Sequence, residues 1–288
     1  MRLRSALRDR IGDLLYFTGV TIPGRRSRGK CSIVTFHRIL PVELRAQYPL
    51  PGLCVTPEEL RDLLHFFKRY FFCGTLRECA QGDVETMKGK PPLAITFDDA
   101  QSDNIHYAQP VLEAAQLRAT FFVPTQSVEE RSALWHDRVG FSMRNLVHEN
   151  KAALGELLVK LGFCEAPSEL STEKIKSVMA RLKSRPDGER KVWLQQLEER
   201  VVQPAVPEWA GMMSWDQMRE LANAGHEIGS HSVSHPILPN CDEEQIKFEA
   251  ENSKKVLEQQ LGSAVDSFCY PNGSWDETVV QAVREAGY

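Results

Sequence analysis

Two adjacent carboxylates, Asp98 and Asp99, end the short apolar run in LAITFDDAQSDN (Leu93 to Asn104). Like charges side by side at the end of a buried strand repel each other and lose hydration, and a cation on one of them relieves both costs. A histidine pair spaced by four, His231 and His235 in HEIGSHSVSH, and His37 in IVTFHRI also follow apolar runs. One carboxylate and two imidazoles could hold a divalent ion, zinc above all, with a position left open for water. The other carboxylate would be free to act as a general base. Each piece has a plainer reading as well. An Asp-Asp pair after a strand is often a helix cap or a surface turn, a His-x-x-x-His spacing is ambiguous, and a single histidine is more often structural. The metal reading gains because all three pieces fall at the ends of expected strands.

Those strands are read from apolar runs near residues 32–38, 71–76, 93–97, 119–123, 226–230 and 266–270, the first of them as a buried strand. Helical stretches alternate with them. VTPEELRDLLHFFKRY opens with Thr56 as N-cap, Pro57 in the first turn and Glu59 closing a capping box, and Ser214 with Gln217 does the same for WDQMRELANAG. This β/α alternation argues for a parallel sheet or barrel, in which residues at the carboxyl ends of strands face the reactive side. The rhythm stops at about residues 126–212, where a charged helical pattern reads as an insertion over one face, either a lid or wall for substrate or simple packing. His136, in LWHDRV, is a candidate for the pocket wall. His65, His106, His148 and His226 read as structural.

The 288 residues allow one large α/β domain or two smaller ones, and the net charge of −4 argues against nucleic acid as a partner. Seven scattered cysteines, with no Cys-x-x-Cys pair, read as reduced thiols of a cytoplasmic protein. No run is long enough to cross a bilayer, and arginines at 2, 4, 8 and 10 break up any signal-peptide core. Residues 1–30 form a basic segment. Within it, residues 2–17 space Leu3, Leu7, Ile11, Leu14 and Leu15 as an amphipathic helix, which either packs on the outside of the domain or makes a peripheral contact with an anionic membrane surface, the inner face in a cytoplasmic protein.

The motifs TFDDAQSDN, HEIGSHSVSH and YPNGSWDETVVQAVREAGY resemble those of the polysaccharide deacetylases, the carbohydrate esterase family four hydrolases. The likeness covers roughly residues 31–124 and 213–288, within a catalytic domain spanning 31–288. It implies a distorted (β/α) barrel of about seven strands and removal of N-acetyl (or O-acetyl) groups from a carbohydrate, an N-acetylhexosamine polysaccharide or its lipid-linked precursor. It also implies that Asp98 is the general base and that Asp99, His231 and His235 hold the divalent metal, most often zinc. The family's third motif, RxPYG, reads CYPNG at Cys269 to Gly273. Tyr270, Pro271 and Asn272 would then lie on the substrate side, with the Asn272 backbone N–H binding the oxyanion. Cys269 replaces the motif's arginine, Asn272 its tyrosine, and Ala100 a usual glycine. The third motif is closest to the exopolysaccharide branch, in which the acid histidine sits on the first strand in a YH or FH context; His37 matches that position.

Two other classes compete. A two-histidine, one-carboxylate iron enzyme would use the same ligand types, but needs no second aspartate beside the ligand. A non-catalytic glycan-binding module descended from a deacetylase would be expected to have lost Asp98 or His37, and both are present. The six expected strands are one fewer than the resembled barrel has, so a missing last strand beyond Tyr288, with an unpaired first strand beside His37, is a further expectation. The oligomeric state is not legible.

Overall fold

A computed structural model describes residues 31–82, 87, 89–164, 170–202 and 206–288. The basic helix expected at 2–17, and its membrane contact, lie outside the described residues. Seven short strands are present among the described residues: β1 (Ser32–Phe36), β2 (Arg38–Ile39), β3 (Cys54–Val55), β4 (Phe72–Gly74), β5 (Pro92–Phe97), β6 (Thr120–Val123) and β7 (Glu227–Ser230). The helices are α1 (Val42–Gln47), α2 (Pro57–Tyr70), α3 (Leu76–Gln81), α4 (Gln109–Ala115), α5 (Thr125–Glu130), α6 (Trp135–Glu149), α7 (Lys151–Lys160), α8 (Thr172–Lys183), α9 (Asp187–Glu198), α10 (Trp215–Asn223), α11 (Glu243–Leu261) and α12 (Glu277–Glu285).

All the strand pairs are parallel. β5 is central. β1 runs along one side of it, while β4 takes the first half of its other side and β6 the second half. β7 follows β6, and β2 pairs apart with β3. Buried on both faces, β5 and β6 read as continuous apolar runs, as central parallel strands do. Phe36, Phe97 and Phe121 stack across three neighbouring strands, with ring centroids 5.4 and 5.0 Å apart. In β7 the backbone passes so close to β6 that a methyl group at Gly229 would meet the Phe122 ring at 2.5 Å.

Two expectations need correcting. β1 is half-buried, with Ile33 57% exposed, because among the described residues it pairs with β5 alone. Residues 266–270 form no strand; the segment touches β7 through one bridge, Ser230 to Phe268, before Pro271, which lacks an N–H, turns the chain away.

The capping boxes at Thr56 and Ser214 are both formed, and a third sits at Thr75 and Glu78. Beyond β6 the helices α6 to α9 build a second hydrophobic core, in which Val139, Leu146, Leu157, Ile175 and Leu182 pack with Leu40, Tyr48 and Leu50 from the segment after β2. The helical layer is thereby fixed to the carboxyl ends of the strands. No helix among the described residues is long and apolar enough to cross a membrane.

Candidate active site

The carboxyl end of β5 delivers the two aspartates into a buried position. Asp98 N–H donates to Phe36 O at 2.9 Å, continuing the β1–β5 ladder by one residue. The chain then turns sharply: Asp99 and Ala100 both take left-handed backbone angles, with φ of +77° and +55°. Two such residues in a row are strained, and an alanine carries more of that strain than a glycine would. The turn is held from outside, since Met213 N–H donates to Ala100 O at 3.0 Å and Gln101 bridges to Met212.

The end of β7 delivers the histidines. His231 N–H donates to Val123 O, and its ring Nδ1–H donates to Cys269 O at 2.7 Å. This fixes the tautomer and leaves the Nε2 lone pair directed at Asp99, 3.6 Å from Oδ1. His235 Nε2 lies 3.3 Å from the same oxygen. The loop between them is also left-handed at Ser232 and at His235. Ser232 Oγ accepts from His235 N–H, and the buried carboxylate of Glu249 on α11 accepts from the N–H groups of Val233 and Ser234 at 2.7 and 2.8 Å. Of the seven non-glycine residues with positive φ among the described residues, five are here: Asp99, Ala100, Ser232, His235 and Asn272.

Asp99, His231 and His235 form a metal-capable group whose ligand atoms lie within 4.8 Å of one another. The set fits a divalent ion: Asp99 Oδ1 is buried, finds no hydrogen-bond donor among the described residues, and faces two imidazole nitrogens. Burial, with the neighbouring His235 ring adding to it, pushes the His231 pKa down to about 3, so the ring offers a lone pair at neutral pH. Burial opposes the charge on Asp99 too, but His235, His136 and His37 outweigh it and hold its carboxyl well below the usual range.

Asp98 sits differently. Its Oδ2 accepts from the Cys269 thiol at 3.6 Å, while Oδ1 is buried and unpartnered. Burial raises its pKa to about 6, with the Asp99 charge adding to the effect and His37 opposing it. His37 occupies the break between β1 and β2, and its backbone carbonyl is anchored by Asn104 Nδ2 at 2.9 Å from the π-helical turn that precedes α4.

A cavity of about 680 Å³ joins these groups. His37, Asp98, Asp99, His231 and His235 all line it, as do Tyr270 and Asn272 from the turn after Phe268. Pro271 is buried and is not among the lining residues. α8 supplies an outer wall through Met179, Ala180 and Lys183. The size suits one or two sugar rings. A larger depression of about 930 Å³, beside Trp209 and Arg138, contains none of these residues.

Three participants lacked a strong sequence signal. His136, on α6, places Nε2 3.7 Å from Asp99 Oδ2 and 3.6 Å from Asp137 Oδ1, beyond hydrogen-bond reach of either, so the ring stands between the metal-capable carboxylate and the helical layer. Cys269 was visible only as a departure from a motif. Glu249, on α11, belongs to no motif singled out in the sequence.

The family model for polysaccharide deacetylases matches residues 86–288. The chitooligosaccharide deacetylase of Azorhizobium caulinodans is 31% identical over 64 residues, which is 22% of this chain and 30% of that one. The chain thus spans less than a third of that curated relative. In fold it is similar to the deacetylase PplD of Streptococcus pyogenes (TM-score 0.54, 16% identity, 90% of this chain and 80% of that one). It is likewise similar to IcaB of Ammonifex degensii (TM-score 0.55, 16% identity, 90% and 81%). With its strand-end aspartates and histidines gathered at one cavity and the family model covering well over half of its length, the chain belongs to the polysaccharide deacetylase family.

Proposed function

We propose that the chain is a metal-dependent carbohydrate deacetylase that hydrolyses the acetamide of an N-acetylhexosamine unit to a free amine and acetate. One observation carries the reading: a pair of buried carboxylates, each with an unpartnered oxygen, stands beside two imidazoles with free lone pairs.

Asp99, His231 and His235 would hold the ion, which we take to be zinc. Such an ion supplies a water with a pKa near neutrality and polarises the acetyl carbonyl. Asp98 takes the water's proton. Its Oδ2 is engaged by Cys269, so Oδ1 is the basic atom. A carboxyl raised to about 6 keeps useful basicity at neutral pH while remaining mostly ionised. His37 gives a proton to the departing sugar nitrogen. Its position on the cavity wall, on a chain break anchored by Asn104, supports that assignment. The Asn272 N–H, on a turn with φ of +58°, is assigned to the developing oxyanion.

The CYPNG form of the third motif and His37 just past the end of the first strand favour an exopolysaccharide or its lipid-linked precursor as substrate. The test is acetate release from N-acetylhexosamine oligosaccharides, lipid-linked glycans and peptidoglycan fragments, with and without zinc after chelation. Zinc-restored release from at least one of them is expected. No release from any, with zinc bound, would overturn the reading.

A further inference from the structure

Cys269 stands where the resembled motif has an arginine, and its surroundings give it a chemistry that arginine lacks. Its Sγ is 3.6 Å from Asp98 Oδ2. Asp98, His231 and Cys269 offer three ligand atoms within 4.8 Å of one another, the same closeness found for Asp99, His231 and His235. Among the described residues these are the two such groups. His231 belongs to both. Its Nδ1–H is committed to Cys269 O, so its single lone pair, on Nε2, can serve one ion at a time.

The donor sets differ in character. A carboxylate with two imidazoles suits zinc and similar ions, whereas replacing an imidazole by a thiolate shifts preference towards softer ions. An arginine at position 269 would repel a cation there; a thiol does not. We propose that Asp98, His231 and Cys269 form an alternative metal site, selective for thiophilic divalent ions such as Cd²⁺, whose occupancy excludes an ion from the Asp99 site. Binding breaks the S–H bond, releases its proton to solvent and forms a sulfur–metal bond; no electrons are transferred. An ion held there engages both Asp98 and His231, so it inhibits the activity proposed above.

The experiment is a Cd²⁺ titration of the metal-stripped protein, read as the thiolate-to-cadmium charge-transfer absorption. Cys269→Ser keeps the other six cysteines, so the difference between the two proteins reports this thiol alone. The wild-type protein should show a band that Cys269→Ser lacks, and Asp99→Asn should retain it, because the alternative site does not use Asp99. Cd²⁺ should inhibit zinc-dependent acetate release at least tenfold more weakly in Cys269→Ser. Equal bands in wild type and Cys269→Ser would overturn the inference. So would loss of the band in Asp99→Asn, which would make Cys269 only an extra ligand of the first site. The absorption does not depend on turnover: a Cys269-dependent band in a protein that releases no acetate would leave this site standing and sink the deacetylase reading.

Discussion

Asp103 and Asp137 are buried as deeply as Asp98 and Asp99, all at 6% exposure or less, yet the two pairs meet burial in opposite ways. Around the first pair the protein supplies its own cation. Arg38, fully buried, donates from Nε to Asp103 at 2.9 Å and from Nη1 to Asp137 at 3.1 Å, and its guanidinium lies 4.8 Å from the centre of the Tyr48 ring. Asp103 also accepts from Ile39 N–H and Asn104 Nδ2, and Asp137 from Gln101 Nε2 and the Tyr48 hydroxyl. Burial alone would lower the Arg38 pKa; the two carboxylates outweigh it and raise it. Every carboxylate oxygen there has a donor. At Asp98 and Asp99, one oxygen of each has none, and the neighbours are lone-pair donors. The first pair has its cation as folded and joins the sheet to the helical layer, although Arg38 Nη2, Gln101 Oε1 and Asn104 Oδ1 around it keep no partner among the described residues. The second is built for a cation from outside. His136 lies between one member of each pair, its Nε2 3.7 Å from Asp99 and 3.6 Å from Asp137 without a hydrogen bond to either.

If the contrast is right, equivalent substitutions have opposite consequences. Asp98→Asn should lower turnover by about 10²- to 10⁴-fold. It should leave metal binding intact and the melting temperature unchanged or higher, because it removes like-charge repulsion against Asp99. Metal analysis, acetate release and calorimetry on one preparation check all three. Arg38→Met should instead cost about 3–5 kcal/mol of stability by leaving Asp103 and Asp137 buried without their cation. Urea unfolding reads that loss, and an unchanged midpoint would break the comparison.

Smaller effects sharpen it. His136→Phe should weaken zinc binding by roughly 10- to 100-fold, as loss of an outer partner of a metal ligand does. His136→Gln, which keeps a polar group beside Asp99, should recover part of it. Zinc at about a hundred times its Kd should stabilise the wild-type protein by about 2.7 kcal/mol, with no such gain in Asp99→Ala. Away from both pairs, His226 packs edge-on to Phe121, accepts from Ala119 N–H, and is pushed by burial down to about 4. Unfolded, it titrates near 6.5. Its contribution is therefore complete above pH 6.5 and is lost as pH falls towards 4, by about 3 kcal/mol at most. His226→Gln should flatten the dependence of unfolding midpoint on pH across that window.

The two clusters also differ in how visible they are in the sequence. Asp98-Asp99 and His231-x-x-x-His235 announce themselves because adjacent or evenly spaced chemistry-bearing residues follow apolar runs; these four and His37 line one cavity, as do Tyr270 and Asn272 but not Pro271. The Arg38 cluster gives no such signal. Its members lie up to 99 positions apart, and each looks locally like a solvated charge. Strands β5 and β6 were legible as double-sided apolar runs. β1 was not legible as an edge, since CSIVTFHRIL is as apolar as a central strand and Ile33 is exposed only because β1 has no second neighbour among the described residues. The Thr75–Glu78 capping box was readable from TLRE but has only a short helix behind it. The strain at Asp99 and Ala100 arises from tertiary contacts with Met212 and Met213, which no local pattern encodes.

The central claim is that the Asp98–Asp99 pair is open to an external cation. Calorimetric titration of zinc into metal-stripped wild-type protein and into Asp99→Asn tests it most directly. One tight site in the wild type, lost in a folded Asp99→Asn protein, is the predicted result. Equal binding by the two proteins, or no binding by the wild type, would contradict it.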